Sequence, residues 1–196
     1  MISDNFFTTV IKIIKQCDDI SLVNDFTDSL LDHRLLSKKW LVDNIPFMAK
    51  NILVLGAWYQ TYIPYRFGKD AKFTLVDINP NIIDLNKKFF INYFGHDQNL
   101  NICIKDARSF LLMNQVHYDL VINTSCEHMH YDMKNIIKDK KSLYAFQSNN
   151  YTEHPSHINC KNSINDFIVS TGLTKIFYSG VLPMTKYDRY LVIGEL

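Results

Sequence analysis

Glycine is scarce in this chain, six residues in 196, and no Gly-x-Gly-x-x-Gly turn occurs. Without it a dinucleotide pyrophosphate lacks the close backbone approach it needs, which argues against an NAD-dependent dehydrogenase. The four cysteines (Cys17, Cys103, Cys126, Cys160) are widely spaced and form no CxxC pair. Reduced thiols in a cytoplasmic protein are the expectation. Charge of one sign is also missing: the net charge is +1 and the pI near 7.7, so nothing general draws the chain to nucleic acid or to an anionic membrane. A nucleic-acid substrate is less expected, though not excluded. No apolar run approaches the roughly 20 residues of a membrane span. The N-terminus carries Asp4, Asp18 and Asp19 and no continuous apolar core, so no signal peptide is read there.

Residues 51–59, Asn-Ile-Leu-Val-Leu-Gly-Ala-Trp-Tyr, are the most informative segment. An apolar run ending at glycine reads as a buried parallel strand entering a tight turn. The pattern recurs at Phe73-Thr-Leu-Val-Asp77, which ends in a carboxylate. Backbone at a turn and an acid closing the next strand are the parts with which nucleotide-binding sheets hold a ribose. A nucleoside-containing cofactor is expected, with Asp77 on its hydroxyls. The competing role for Asp77 is to cap the following helix.

Residues 1–48 read as helical, with Phe6, Val10, Ile13 and Ile14 at helical spacing and Pro46 as a stop. From residue 51 apolar runs appear at 51–55, 73–76, 101–104, 119–122, 143–146, 174–178 and 190–193, with amphipathic stretches between several of them. Alternating strands and helices predict a parallel sheet covered on both faces. The segment Ser179–Met184 before the last strand is too short for a helical crossover, so that strand should enter antiparallel. The expected architecture is α/β: a three-layer Rossmann-like sandwich whose seven-stranded, mostly parallel sheet reverses only its last strand. Residues 1–48 form an N-terminal helical cap or extension, and residues 49–196 the cofactor-binding domain.

Over roughly residues 50–196 the chain resembles the class I S-adenosylmethionine-dependent methyltransferase superfamily. Four stations carry the resemblance: Leu55-Gly56-Ala-Trp-Tyr59, Val76-Asp77-Ile78, Lys105-Asp106-Ala107 and Tyr118-Asp-Leu-Val-Ile-Asn123. The chain is also similar to small methyltransferase-like proteins of phage and marine bacterial genomes, through the glycine-aromatic turn and Asn123-Thr-Ser-Cys-Glu-His128. The superfamily resemblance implies S-adenosyl-L-methionine as cofactor. Gly56, Ala57, Trp58 and Tyr59 would then hold its methionine end, Asp77 with Ile78 its ribose, and Asp106 with Ala107 its adenine. Asn123 would lie at both donor and acceptor. One departure stands out, because the superfamily places two or three glycines where this chain has Gly56 followed by Ala57, Trp58 and Tyr59. The turn must follow a different path, or its aromatics must pack on the ligand.

The acceptor should meet the polar run after strand four. Glu127 and His128 are the expected general base or substrate anchor, with Asn123 beside them. Asp106 has a second possible role as N-cap of the helix after it. Cys126, His128 and His130, with His154, His157 and Cys160 after strand five, are ligand types that suit zinc. Neither segment has a recognised zinc spacing and a plain methyl transfer needs no metal, so no metal ligands are assigned. Tyr187, Asp188 and Arg189 of the last hairpin could contact substrate, but nothing distinguishes them from turn residues.

The expected function is methyl transfer from S-adenosylmethionine to a small-molecule acceptor. Two alternatives stay open. One is another use of the same donor, aminocarboxypropyl transfer or lyase-type cleavage, because the atypical turn touches the donor's amino-acid end. The other is a non-catalytic partner subunit that kept the fold and lost the donor site.

Overall fold

The computed structural model describes residues 3–196. Three helices come first: α1 (Asp4–Lys15), α2 (Ile20–Asp28) and α3 (Asp32–Asp43). The alternating part follows as β1 (Asn51–Leu55), α4 (Tyr62–Phe67), β2 (Lys72–Asp77), α5 (Ile82–Phe94), β3 (Leu100–Ile104), α6 (Ala107–Met113) and β4 (Leu120–Asn123). It closes with β5 (Leu143–Asn149), α7 (Ile164–Thr171), β6 (Lys175–Pro183) and β7 (Asp188–Glu195).

The seven strands form one sheet in the order β3-β2-β1-β4-β5-β7-β6. Every pairing from β3 to β5 is parallel. β7 inserts between β5 and β6 and runs antiparallel to both, so it alone is reversed. The short connection before β7 allows a hairpin and forbids a crossover, which is why the reversal falls there.

Residues 52–55 of β1 are fully buried because both faces of the sheet are covered. Side chains alternate between faces along the strand. Ile52 and Val54 pack with Phe73, Leu75, Leu120 and Ile122 under α1 to α5, where Phe6, Phe26, Leu41, Ile63 and Phe89 complete one core. Leu53 and Leu55 pack with Val76 and Val121 on the opposite face, under Phe110 of α6 and Phe167 of α7. Three layers result.

The N-terminal helices share the first of these cores. Phe6 meets Phe89 of α5 edge to face, with ring centroids 5.8 Å apart, and Phe26 meets Tyr59 at 5.5 Å. α3 is fastened across the carboxyl end of β5 and the amino end of β7. Gln147 exchanges hydrogen bonds with Ser37, its Oε1 accepting from Ser37 Oγ at 3.0 Å and its Nε2 donating to the Ser37 carbonyl at 2.9 Å. Arg189 Nε donates to Ser37 Oγ at 3.3 Å, and Trp40 Nε1 to Tyr178 Oη at 2.9 Å. This places one face of α3 over the strand ends where an open α/β sheet binds ligands. No helix among the described residues is long and apolar enough to cross a membrane.

Candidate functional site

A cavity of about 680 Å³ opens at the carboxyl ends of β1, β2, β4 and β5 and is roofed by α2 and α3. That size suits a nucleoside-sized ligand and a small second molecule.

The turn after β1 forms its floor. Gly56 has φ +58°, a conformation that strains any side chain, and a Cβ there would lie 2.9 Å from Met129 Cε, which would have to move aside. Trp58 adopts φ +49°, the left-handed conformation that the usual extra glycines would take without strain. Its neighbours fix it there. Asp77 Oδ2 accepts the Trp58 amide at 2.8 Å, and Asn86 Nδ2 donates to the Trp58 carbonyl at 2.9 Å. The Trp58 ring lines the cavity, donates from Nε1 to Asp25 at 3.1 Å and carries the Arg34 guanidinium 4.7 Å above it. Ala57 and Tyr59 point the other way into the core, both fully buried and absent from the cavity wall.

Asp77 and Asp106 both line the cavity, with Ile78 and Ala107 next to them. Asp77 Oδ1 accepts the Asn79 amide at 2.9 Å, so each Asp77 oxygen has one backbone donor and a lone pair left for a hydroxyl. Asp106 caps α6 by accepting the Ser109 amide at 2.9 Å, and Tyr131 Oη donates to its second oxygen at 3.2 Å.

After β4 the chain folds into a 3-10 turn, Cys126–His128. Asn123 is fully buried and faces away from the cavity. Its Oδ1 accepts the Ser125 amide at 2.8 Å and its Nδ2 meets Met133 Sδ at 3.5 Å, so both polar ends serve the turn. Glu127 lines the cavity although only 3% of it is exposed. Its Oε1 accepts from Arg189 Nη1 at 2.6 Å and from Asn149 Nδ2 at 2.8 Å, while Oε2 has no protein partner. Arg189 also donates to the Thr124 carbonyl. His128 stands at the rim, and desolvation holds its pKa below the usual imidazole value.

Several wall residues come from far along the chain. Arg189 arrives from β7 and Asn149 from β5 to clamp Glu127. Lys38 of α3 is buried and donates to the Tyr59 carbonyl at 3.2 Å, and among the described residues it forms no salt bridge. Burial next to Arg34 and Arg189 pulls its pKa down to about 7. Arg34 Nη1 is likewise buried without a hydrogen-bond acceptor. The α3 side of the cavity therefore presents Arg34 and Lys38 with no carboxylate paired to either among the described residues. An arginine opening the buried stretch Tyr190–Ile193 was the one available hint, since a charge there needs a partner.

A family model described as the spermine/spermidine synthase domain matches residues 49–155, just over half of the chain. A polyamine aminopropyltransferase of Buchnera aphidicola is 28% identical over 131 residues, which cover 62% of this chain and 43% of that protein. The chain thus spans less than half the length of the curated relatives it matches. Among solved structures, the N-methyltransferase NodS of Bradyrhizobium japonicum WM9, bound to S-adenosyl-L-homocysteine, superposes with a TM-score of 0.61. The match is 11% identical and covers 98% of both chains. The Podospora anserina methyltransferase PaMTH1, also bound to S-adenosylhomocysteine, gives 0.60 at 12% identity, over 100% of this chain and 89% of its own. The fold is therefore that of the class I S-adenosylmethionine-dependent methyltransferases. By its sequence, the chain belongs to the spermine/spermidine synthase domain family.

Proposed function

We propose that the protein is a transferase that holds S-adenosylmethionine in this cavity and passes an alkyl group from its sulfonium to a small acceptor. The observation that carries the reading is the turn Gly56–Trp58 tied to Asp77, with Asp106 one strand further along. Gly56 leaves the floor bare, and Asp77 keeps one free lone pair on each oxygen for ribose hydroxyls. Asp106 stands where the resemblance puts the adenine. Bound there, the donor supplies an electrophilic carbon beside a positively charged sulfur. The protein's task is alignment, so that donor and nucleophile meet in line. Glu127, oriented by Arg189 and Asn149, places a carboxylate at the cavity wall for an acceptor's N–H or ammonium.

Family membership favours transfer of a three-carbon chain over the methyl group expected from the sequence. The relatives' name specifies an aminopropyl group, which has no carboxylate. In this chain Arg34 and Lys38 stand in the cavity with no carboxylate paired to either among the described residues, an arrangement that suits a donor retaining its carboxylate. An aminocarboxypropyl group satisfies both observations. Product analysis tests the reading: incubation with S-adenosylmethionine and a panel of small amines should release methylthioadenosine. Release of S-adenosylhomocysteine would identify methyl transfer instead. Failure of the folded protein to bind either nucleoside product would leave only a non-catalytic partner role.

A further inference from the structure

One carboxylate and two imidazoles converge where the loops after β4 and β5 meet. A carboxylate oxygen of Glu127 and a ring nitrogen each of His128 and His157 all lie within 4.8 Å of one another. The two imidazole centroids are 4.6 Å apart. The sequence separates these histidines by a strand and most of a loop, so their meeting is a product of the fold.

Hydrogen bonds fix the tautomer of both rings. His157 Nδ1 lies 2.6 Å from the Tyr151 carbonyl oxygen; His128 Nδ1 lies 3.1 Å from that of Ser156 and 3.0 Å from the Ser156 hydroxyl, whose own proton goes to His154 Nδ1 at 2.7 Å. A carbonyl only accepts, so each Nδ1 carries the proton and each Nε2 presents a lone pair. Glu127 adds its unpartnered, buried Oε2, the other oxygen being held by Arg189 and Asn149. Imidazoles anchored through Nδ1–H to backbone carbonyls are the outer arrangement typical of metal-binding histidines.

We propose that Glu127, His128 and His157 form a binding site for a borderline first-row divalent metal ion of the zinc, cobalt(II) or iron(II) type. Two imidazoles and one carboxylate suit these ions, whereas calcium and magnesium prefer all-oxygen shells. Closing the ligand atoms to about 3–3.5 Å, as bonds near 2.1 Å require, asks only for small rotations of side chains at a loop junction. Arg189 lowers the affinity by its charge and holds Oε1, the Glu127 oxygen that lies 4.0 Å from His128 Nε2, so the carboxylate must turn to bring Oε2 to the ion. The remaining coordination positions face the cavity. An ion there would take over the acceptor-anchoring role of the bare Glu127 carboxylate. The site is independent of which group the donor transfers.

The test uses the full chain, stripped with chelator, titrated with zinc by calorimetry and with cobalt(II) by visible absorption. One equivalent of zinc should bind, and cobalt should give the intense d–d bands of a low-coordinate site. His157→Ala and His128→Ala should each weaken zinc binding by about 10- to 100-fold or more, the range seen even for outer-shell losses. His154→Ala should leave it unchanged, because His154 Nδ1 accepts the Ser156 amide at 3.3 Å, which puts the ring proton on Nε2 and leaves no lone pair there for an ion. Absence of stoichiometric binding would overturn the proposal. Equal binding by wild type and both triad variants would do so too, as would an equal loss in His154→Ala, the mark of a loose histidine cluster.

Discussion

Asp77 Oδ2 accepts the backbone N–H of Trp58 at 2.8 Å, joining the acid that ends β2 to the turn that follows β1. One carboxylate thereby does two things. It stabilises a tryptophan in a left-handed backbone conformation, and it stands at the cavity edge with lone pairs to spare. The glycines usual in such a turn are replaced by a strained residue held from outside, by Asp77 on one side and Asn86 on the other.

Removing that carboxylate should therefore affect both fold and ligand. Asp77→Ala leaves the Trp58 and Asn79 amides without acceptors and should lower stability by about 1–3 kcal/mol. Asp77→Asn keeps one amide acceptor and should lose less. Chemical denaturation of the two variants measures the difference.

Gly56→Ala should destabilise the protein by about 1–2 kcal/mol through its left-handed φ alone. Its Cβ would also press on Met129 Cε. Adding Met129→Ala to Gly56→Ala should relieve the contact and leave the backbone strain. A double-mutant cycle on denaturation midpoints separates the two contributions.

Arg189 and Glu127 form a buried ion pair, their side chains 10% and 4% exposed. Arg189→Met strands a buried carboxylate and should cost about 3–5 kcal/mol. The double variant Arg189→Met with Glu127→Leu should recover much of that loss, because no unpaired charge remains. Equilibrium unfolding of the single and double variants checks the order.

Lys38 makes stability depend on pH in a definite direction. Burial lowers its folded-state pKa from 10.5 to about 7. Between those values the unfolded chain holds a proton that the folded one has released, so stability should rise with pH across that window. The slope is at most about 1.4 kcal/mol per pH unit, and below pH 7 the contribution levels off. Unfolding free energies of wild type and Lys38→Met at pH 7 and pH 9.5 should diverge in favour of wild type at the higher pH. Groups common to both proteins cancel in the difference.

How much of this was legible in the chain depends on the range of the interactions. β1 and β2 are readable because burial on both faces forces an unbroken apolar run. The reversal of β7 follows from a connection too short to cross over. Asp77 and Asp106 are readable because one ends β2 and the other lies just past the end of β3, and strand ends converge in a parallel sheet. Direction is less accessible than position. Asn123 sits at the expected strand end, but its side chain turns back to cap its own loop. Ala57 and Tyr59 fall in the expected turn and face the core. Least readable are the residues brought in from far along the chain. Arg189 reaches Glu127 across 62 residues, and Lys38 enters the cavity only because Ser37 next to it is fastened to Gln147, 110 residues away. His157 meets His128 through a loop whose path no local pattern describes.

The central claim, that the cavity is a sulfonium-donor site built on Asp77, is tested most directly by calorimetric titration with S-adenosylhomocysteine. Wild type should bind one equivalent, and Asp77→Ala, checked for folding by circular dichroism, should bind at least about tenfold more weakly, the equivalent of one lost charge-assisted hydrogen bond. No binding by the folded wild type, or equal binding by both proteins, would contradict the account.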